Sequence, residues 1–175
     1  MEPIAGAKIQ PKNLSRDISK NQNDMQIVKD DLVSADVVQL LREHLDQMHS
    51  QSPAESVHAL DIDALAANDI TFWSVRDDGA LLGCGALKIM NDAHGEIKSM
   101  RTVSSHTRKG VATFMLKHIM RHARQQGLTA LFLETGSMDD FKSARNLYEK
   151  FGFEPCQAFA DYVEDSNSVF YKRSL

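Results

Sequence analysis

The chain has 175 residues, which suits one domain, and its 25% charged and 42% hydrophobic residues exclude a disordered or collagen-like chain. A formal net charge of −4 argues against a protein built as a whole to coat nucleic acid. No apolar run approaches the roughly 18 residues of a membrane helix. Cys84 and Cys156 form no CxxC pair, so a reducing, cytoplasmic setting is expected.

Residues 1–24 are polar, show no sustained period and lack the apolar core of a secretory signal. They are expected to lie outside the fold as a disordered tail, an expression leader or a stretch upstream of a start at Met25. The domain is expected over 25–175. MQIVK (25–29) reads as a strand. Ser34 can cap a helix, along which Val37, Val38, Leu41, Leu45 and Met48 recur at helical spacing. Residues 58–69 suggest a second helix. ITFWSV (70–75), rich in β-branched and aromatic residues, suits a strand. Asp77-Asp78-Gly79 supplies a turn into a second arm, 81–90. GEIKSMRTV (95–103) is the next strand. Residues 111–126 form a helix with Val111, Met115, Ile119 and His122 down one side, and Gly127 stands where a helix ends. LTALFLETG (128–136) reads as a strand buried on both faces. Residues 139–152 are helical, with acids at the start and Lys150 and Gly152 at the end. FEPCQAF and SVFYKRS suggest two closing strands. The class implied is α/β (α+β layered), a mixed sheet with helices on both faces.

Charge is unevenly placed. Residues 97–133 hold seven bases and no acid, whereas residues 29–96 hold thirteen acids and four bases. A solvated helix face explains Lys117, Arg121 and Arg124. It explains Arg108 and Lys109 less well, because they lie on the loop directly before the helix. Unpaired N–H groups and the positive end of the helix dipole make such a terminus an anion site. Gly110 permits close backbone approach and Ala112 keeps the first turn narrow. Neither GxxxxGK[ST] nor GxGxxG is present, so a nucleoside-triphosphatase loop and a dinucleotide fingerprint are unsupported.

The TRKGVA segment resembles the acetyl-CoA loop of the GNAT N-acetyltransferase superfamily, Q/R-x-x-G-x-G/A. Gly110 and Ala112 match it, and Thr107 stands where Gln or Arg is usual. Ala144, Leu147, Tyr148, Gly152 and Phe153 fit a second pattern, N-x-x-A-x-x-L-Y-x-x-x-G-F, with Phe141 in place of Asn. GEIKSMRT and LETGS are similar to strings of a bacterial subgroup of undefined substrate. The resemblance spans residues 25–175 and implies a GNAT-like, centrally splayed sheet.

It further implies that acetyl-CoA, a co-substrate, docks between the strands 95–103 and 128–136. Its pantetheine would pair with the edge at Met100, Arg101, Thr102 and Val103. Its pyrophosphate would sit on Arg108, Lys109, Gly110, Val111 and Ala112. A small-molecule or peptide amine would attack the thioester directly. An alkylammonium near pKa 10.4 must first lose a proton. Glu96 is the leading candidate base and Glu134 the competing one. Tyr148 is the candidate acid for the departing thiolate. Each also has an ordinary structural reading, as a surface Glu beside a turn, a locally bonded Glu and a packed aromatic.

Inert burial is expected for both cysteines. His118 and His122 lack a third ligand, so no metal is expected. Trp73 is expected in the sheet core. His58, Asp61 and Asp63 fall where the family lines its acceptor site, and acids there would suit a cationic amine. A non-catalytic acyl-CoA-binding sensor or interaction module of the same fold is the alternative. Neither a nucleic-acid nor a membrane partner is expected, and a homodimer stays open.

Overall fold

The computed structural model describes residues 24–51, 58 and 60–175. The expectation for residues 1–24 lies outside them except at Asp24. Seven strands form one sheet: β1 (Gln26–Lys29), β2 (Ile70–Asp77), β3 (Ala80–Ile89), β4 (His94–Thr102), β5 (Ala130–Gly136), β6 (Glu154–Cys156) and β7 (Ser168–Ser174). The helices are α1 (Ala35–Gln51), α2 (Ile62–Leu65), α3 (Val111–Gln125) and α4 (Lys142–Lys150). The spatial order is β1-β2-β3-β4-β5-β7-β6. β1 to β4 form an antiparallel meander, β4 and β5 are parallel, and β7 pairs antiparallel with both β5 and β6. A parallel pair requires a crossover, which α3 supplies.

Alternation along the strands sorts the core into two faces. Trp73, Val75, Leu87 and Ile97 pack with Val111, Met115 and Ile119 of α3 and with Tyr148 of α4. Phe72, Cys84 and Ala86 pack on the other face with Val37, Leu40 and Leu41 of α1 and Leu65 of α2. A third cluster joins Phe132 and Phe170 to Phe159 of the β6–β7 loop. Helices therefore flank a mixed sheet on both faces, as expected from the sequence.

Three local expectations need correction. The helix foreseen over 58–69 is the single turn Ile62–Leu65, because the Asp61 carboxylate accepts from Ala64 N–H and starts the helix there. The segment from 139 opens with a 3₁₀ turn, Asp139–Phe141, before α4 begins. The Ser34 hydroxyl accepts from Arg76 at 3.2 Å. Arg76 also grips Asp36 with both terminal nitrogens, at 2.7 and 3.1 Å, tying the start of α1 to β2.

Two irregularities shape the sheet centre. The β4–β5 ladder holds only His94–Ala130, Gly95–Leu131 and Glu96–Phe132. Beyond Glu96 the strands part, and this is the expected splay. β4 also carries a bulge: Cys84 faces Arg101 and Ala86 faces Lys98, so three steps on β4 match two on β3. Ser99, at φ 51°, absorbs the extra residue. On a regular strand Lys98 and Arg101 would point to opposite faces. Here both reach the α1/α2 side, Lys98 to the His58 carbonyl and Arg101 to Gln47 of α1. Gly85 stands opposite the bulge, where a Cβ would lie 2.8 Å from both Met100 and Met115 side-chain atoms.

Candidate active site

The parted strands open a cleft of about 570 Å³. β4 supplies Ile97 to Thr102 on one side, and Glu134, Thr135 and Gly136 of β5 form the other. α4 closes one end with Ala144, Leu147 and Tyr148, and α1 contributes His44, Gln47 and Met48. Three hydrogen bonds hold α4 in place. Arg145 Nη1 donates to the Gly136 and Met138 carbonyls at 2.6 and 2.8 Å, and Tyr171 Oη donates to Glu149 at 2.7 Å. The ring of Phe141 lies over Gly136, where an added Cβ would sit 2.4 Å from it. Phe141, the departure from the family's Asn, thus forms part of the cleft wall.

At the other end lies the loop before α3. Ser104–His106 make a 3₁₀ turn, and the Thr107 hydroxyl donates back to the Ser104 carbonyl at 3.1 Å. Arg108 and Gly110 both take left-handed backbone, φ 60° and 86°. Gly110 precedes the first turn of α3 and no side chain caps it, so the leading N–H groups are left for another acceptor. Arg108, Gly110, Val111 and Ala112 line the cleft, whereas Lys109 does not. Of the expected cofactor edge, Met100, Arg101 and Thr102 line it; Val103 instead donates its N–H to Leu82 of β3. The arrangement offers amide donors and a guanidinium at one end and an unpaired strand edge along the middle, features suited to an extended anionic ligand.

The two candidate carboxylates occupy different settings. Glu96 is 4% exposed and does not line the cleft. Its Oε1 accepts from Lys98 Nζ at 3.1 Å and from Tyr162 Oη at 2.5 Å, while Lys98 also donates to Tyr162 Oη at 2.6 Å. Glu134 does line the cleft, bonded to the Ser168 hydroxyl at 2.7 Å. Burial pushes its carboxyl above the ordinary range, against the lowering influence of Ser168, His58 and Lys98. Tyr148 also lines the cleft. Burial, helped by the Glu134 charge, pushes its phenol well above 10, so it stays a proton donor at neutral pH.

Tyr162 is the participant the sequence did not reveal. It lies in an aperiodic loop and meets β4 only in the fold, its ring 4.9 Å from that of His58. His58 lines the cleft as expected, but Asp61 and Asp63 do not, and Asp61 serves as the α2 cap. Cys84 donates to the Ser99 carbonyl at 3.4 Å, and burial pushes its thiol up to about 12, which leaves no neutral-pH thiolate. His118 and His122 flank Trp73 at 5.1 and 5.0 Å. Among the described residues no group of three metal-ligating side chains occurs, and no helix is long and apolar enough to cross a membrane.

Residues 36–153 match the acetyltransferase (GNAT) family model. The chain belongs to that family. It is 54% identical over 151 residues to the uncharacterized N-acetyltransferase YsnE of Bacillus subtilis (strain 168), covering 86% of this chain and all of that one. It is 45% identical over 149 residues to the uncharacterized N-acetyltransferase YedL of Escherichia coli (strain K12), covering 85% and 94%. The fold is shared with the crystal structure of a GNAT family acetyltransferase from Elizabethkingia anophelis with acetyl-CoA bound, at TM-score 0.63 and 15% identity over 87% of this chain and 99% of that one.

Proposed function

We propose that the protein transfers an acetyl group from acetyl-CoA to an amine by direct attack, with Glu134 as the base and Tyr148 as the acid. The observation that carries this reading is that both side chains line one cleft, between an uncapped helix N-terminus and a strand edge that has lost its partner. The pyrophosphate would take the N–H groups of Gly110 to Ala112 beside Arg108, and the pantetheine would pair along Met100 to Thr102. Acetyl-CoA in the Elizabethkingia relative supports the choice of co-substrate.

Glu134 is preferred over Glu96 for two reasons. Glu96 already accepts from Lys98 and Tyr162 and stands behind the cleft wall. The raised pKa of Glu134 brings it closer to the value a base needs near neutral pH. It would take a proton from the incoming ammonium, directly or through one water. The free amine then attacks the thioester carbon, the C–S bond breaks, and Tyr148 gives its proton to the leaving sulfur; the attacking nitrogen sheds its extra proton as the amide forms, and that proton, relayed by solvent, restores the Tyr148 phenol. Glu96 would hold Lys98 and Tyr162 in position.

Melting the protein with acetyl-CoA, CoA or ATP, followed by an amine panel monitored for CoA release, tests this reading. At 100 times Kd a native-state ligand adds about 2.7 kcal/mol, so acetyl-CoA and CoA should raise the melting temperature and ATP should not. No rise at millimolar acetyl-CoA would reject the reading.

A further inference from the structure

We infer that the acceptor is an amine that also bears a carboxylate, and that Arg101 on β4, with His44 and Gln47 of α1, recognises that carboxylate. This rests on the acetyl-transfer reading above and names the substrate class for it. The starting point is the bulge at Ser99. It turns the Arg101 side chain off the α3 face and toward α1, where Nη2 donates to Gln47 Oε1 at 2.5 Å. The backbone of Arg101 still belongs to the proposed cofactor edge. Its charge lies on the opposite face of the sheet from α3.

Among the described residues that charge has no ion-pair partner. The ion pairs of the described residues join Arg76 to Asp30 and Asp36, and Lys98 to Glu96. Arg101 is in none of them. Its Nη1 makes no hydrogen bond among the described residues, and its Nε is buried without a partner. Two neighbours on the cleft wall share this condition: Ser99 Oγ and His44 Nδ1 are also buried and unpaired. A buried polar atom without a partner is costly to the fold. Three such atoms on the wall of one cleft, the guanidinium's own Nε among them, mark a place organised to take a polar ligand. Burial, reinforced by the Arg101 charge, lowers His44 to about 4, so the imidazole is neutral at pH 7 and the guanidinium carries the positive charge there.

The chemistry selects the ligand. A planar guanidinium with a free edge matches a carboxylate, which it can take through two parallel N–H bonds. A second amine would be repelled there. Lys98, also on this face, is already committed to Glu96 and Tyr162. Glu134 lies on the far wall of the same cleft, so an acceptor spanning the gap would present its ammonium to Glu134 and its carboxylate to Arg101.

The test uses the full chain with acetyl-CoA and matched sets of acceptors. Each set holds an amino acid, its amide and the corresponding decarboxylated amine, assayed with wild type and Arg101→Gln. Charged hydrogen bonds contribute about 1.5–3 kcal/mol, so the amino acid of a set should show kcat/KM about 10- to 100-fold above its amide and amine. Arg101→Gln should erase that preference, chiefly through acceptor KM, and leave the acetyl-CoA KM and the melting temperature close to wild type. Amides and amines used as well as amino acids would overturn the proposal. So would a variant that weakens acetyl-CoA binding while keeping acceptor preference. If the CoA-saturated protein turns over none of the acceptors, its melting temperature decides: a rise with the carboxylate members alone supports the subsite, and no rise, or an equal rise with the amines, refutes it. A chain that fails to bind acetyl-CoA at all would instead reject the acetyl-transfer reading.

Discussion

Glu96 and Glu134 show how far environment outweighs residue type. Both are glutamates on central strands, two ladder positions apart in depth, yet one is bonded to a lysine and a tyrosine and the other faces the cleft with a serine as its bonded partner. Buried among Lys98, His58, Tyr162, Tyr148 and Glu96, Glu134 has its folded-state pKa raised, so the folded protein binds that proton more tightly than the unfolded chain does. The associated stability is present below the ordinary carboxylate range and is lost as pH rises through the raised value. Glu134→Gln keeps the bond to Ser168 and removes the ionisation. The variant should therefore melt with wild type near pH 4 and at or above it at pH 7, while losing most activity. A lower melting temperature at pH 7 would mean that the carboxylate braces the fold.

At the scale of elements, the loop before α3 is the part most tightly specified by its backbone. Gly110 stands at φ 86° with open space around its Cβ position, so a side chain there meets strain and no clash. Left-handed backbone costs a non-glycine residue about 1–2 kcal/mol. Gly110→Ala should lower stability by about 1 kcal/mol and weaken acetyl-CoA binding several-fold as the loop shifts, both read by melting with and without acetyl-CoA. Unchanged affinity would separate this loop from the cofactor. This loop was legible in the sequence because a glycine, two bases and a strong helix meet there. β2, β3 and β5 were legible through their apolar runs, and α3 through the spacing of Val111, Met115 and Ile119. The helix at 58–69 was overestimated, because Leu60, Ile62 and Leu65 suggest helical spacing while Asp61 starts the turn only at Ile62.

Across the whole molecule, the concentration of bases in 97–133 acquires a spatial meaning: Arg101 and Arg108 both reach one cleft, while Lys117, Arg121 and Arg124 are exposed on α3. The site was only half legible. Glu134, Tyr148, Arg108 and Gly110 line the cleft, and each follows a local pattern in the sequence. The Glu96–Lys98 pairing follows from two residues sharing a strand face, a rule available from sequence alone. Tyr162 could not be found, since a loop residue 66 positions from Glu96 carries no periodic signal. Nor could the orientation of Arg101, which depends on a bulge at Ser99 that no turn-forming residue announces.

The division of labour between the two glutamates is tested most directly by the pH dependence of kcat/KM for CoA release, using an amine that wild type accepts. Wild type, Glu134→Gln and Glu96→Gln are compared. General bases contribute about 10²–10⁴-fold, so Glu134→Gln should fall by at least about 10²-fold and lose the acid limb of its profile. Glu96→Gln should keep that limb and lose less. An intact acid limb in Glu134→Gln, with the limb abolished in Glu96→Gln, would contradict this account and return the base to the buried pair.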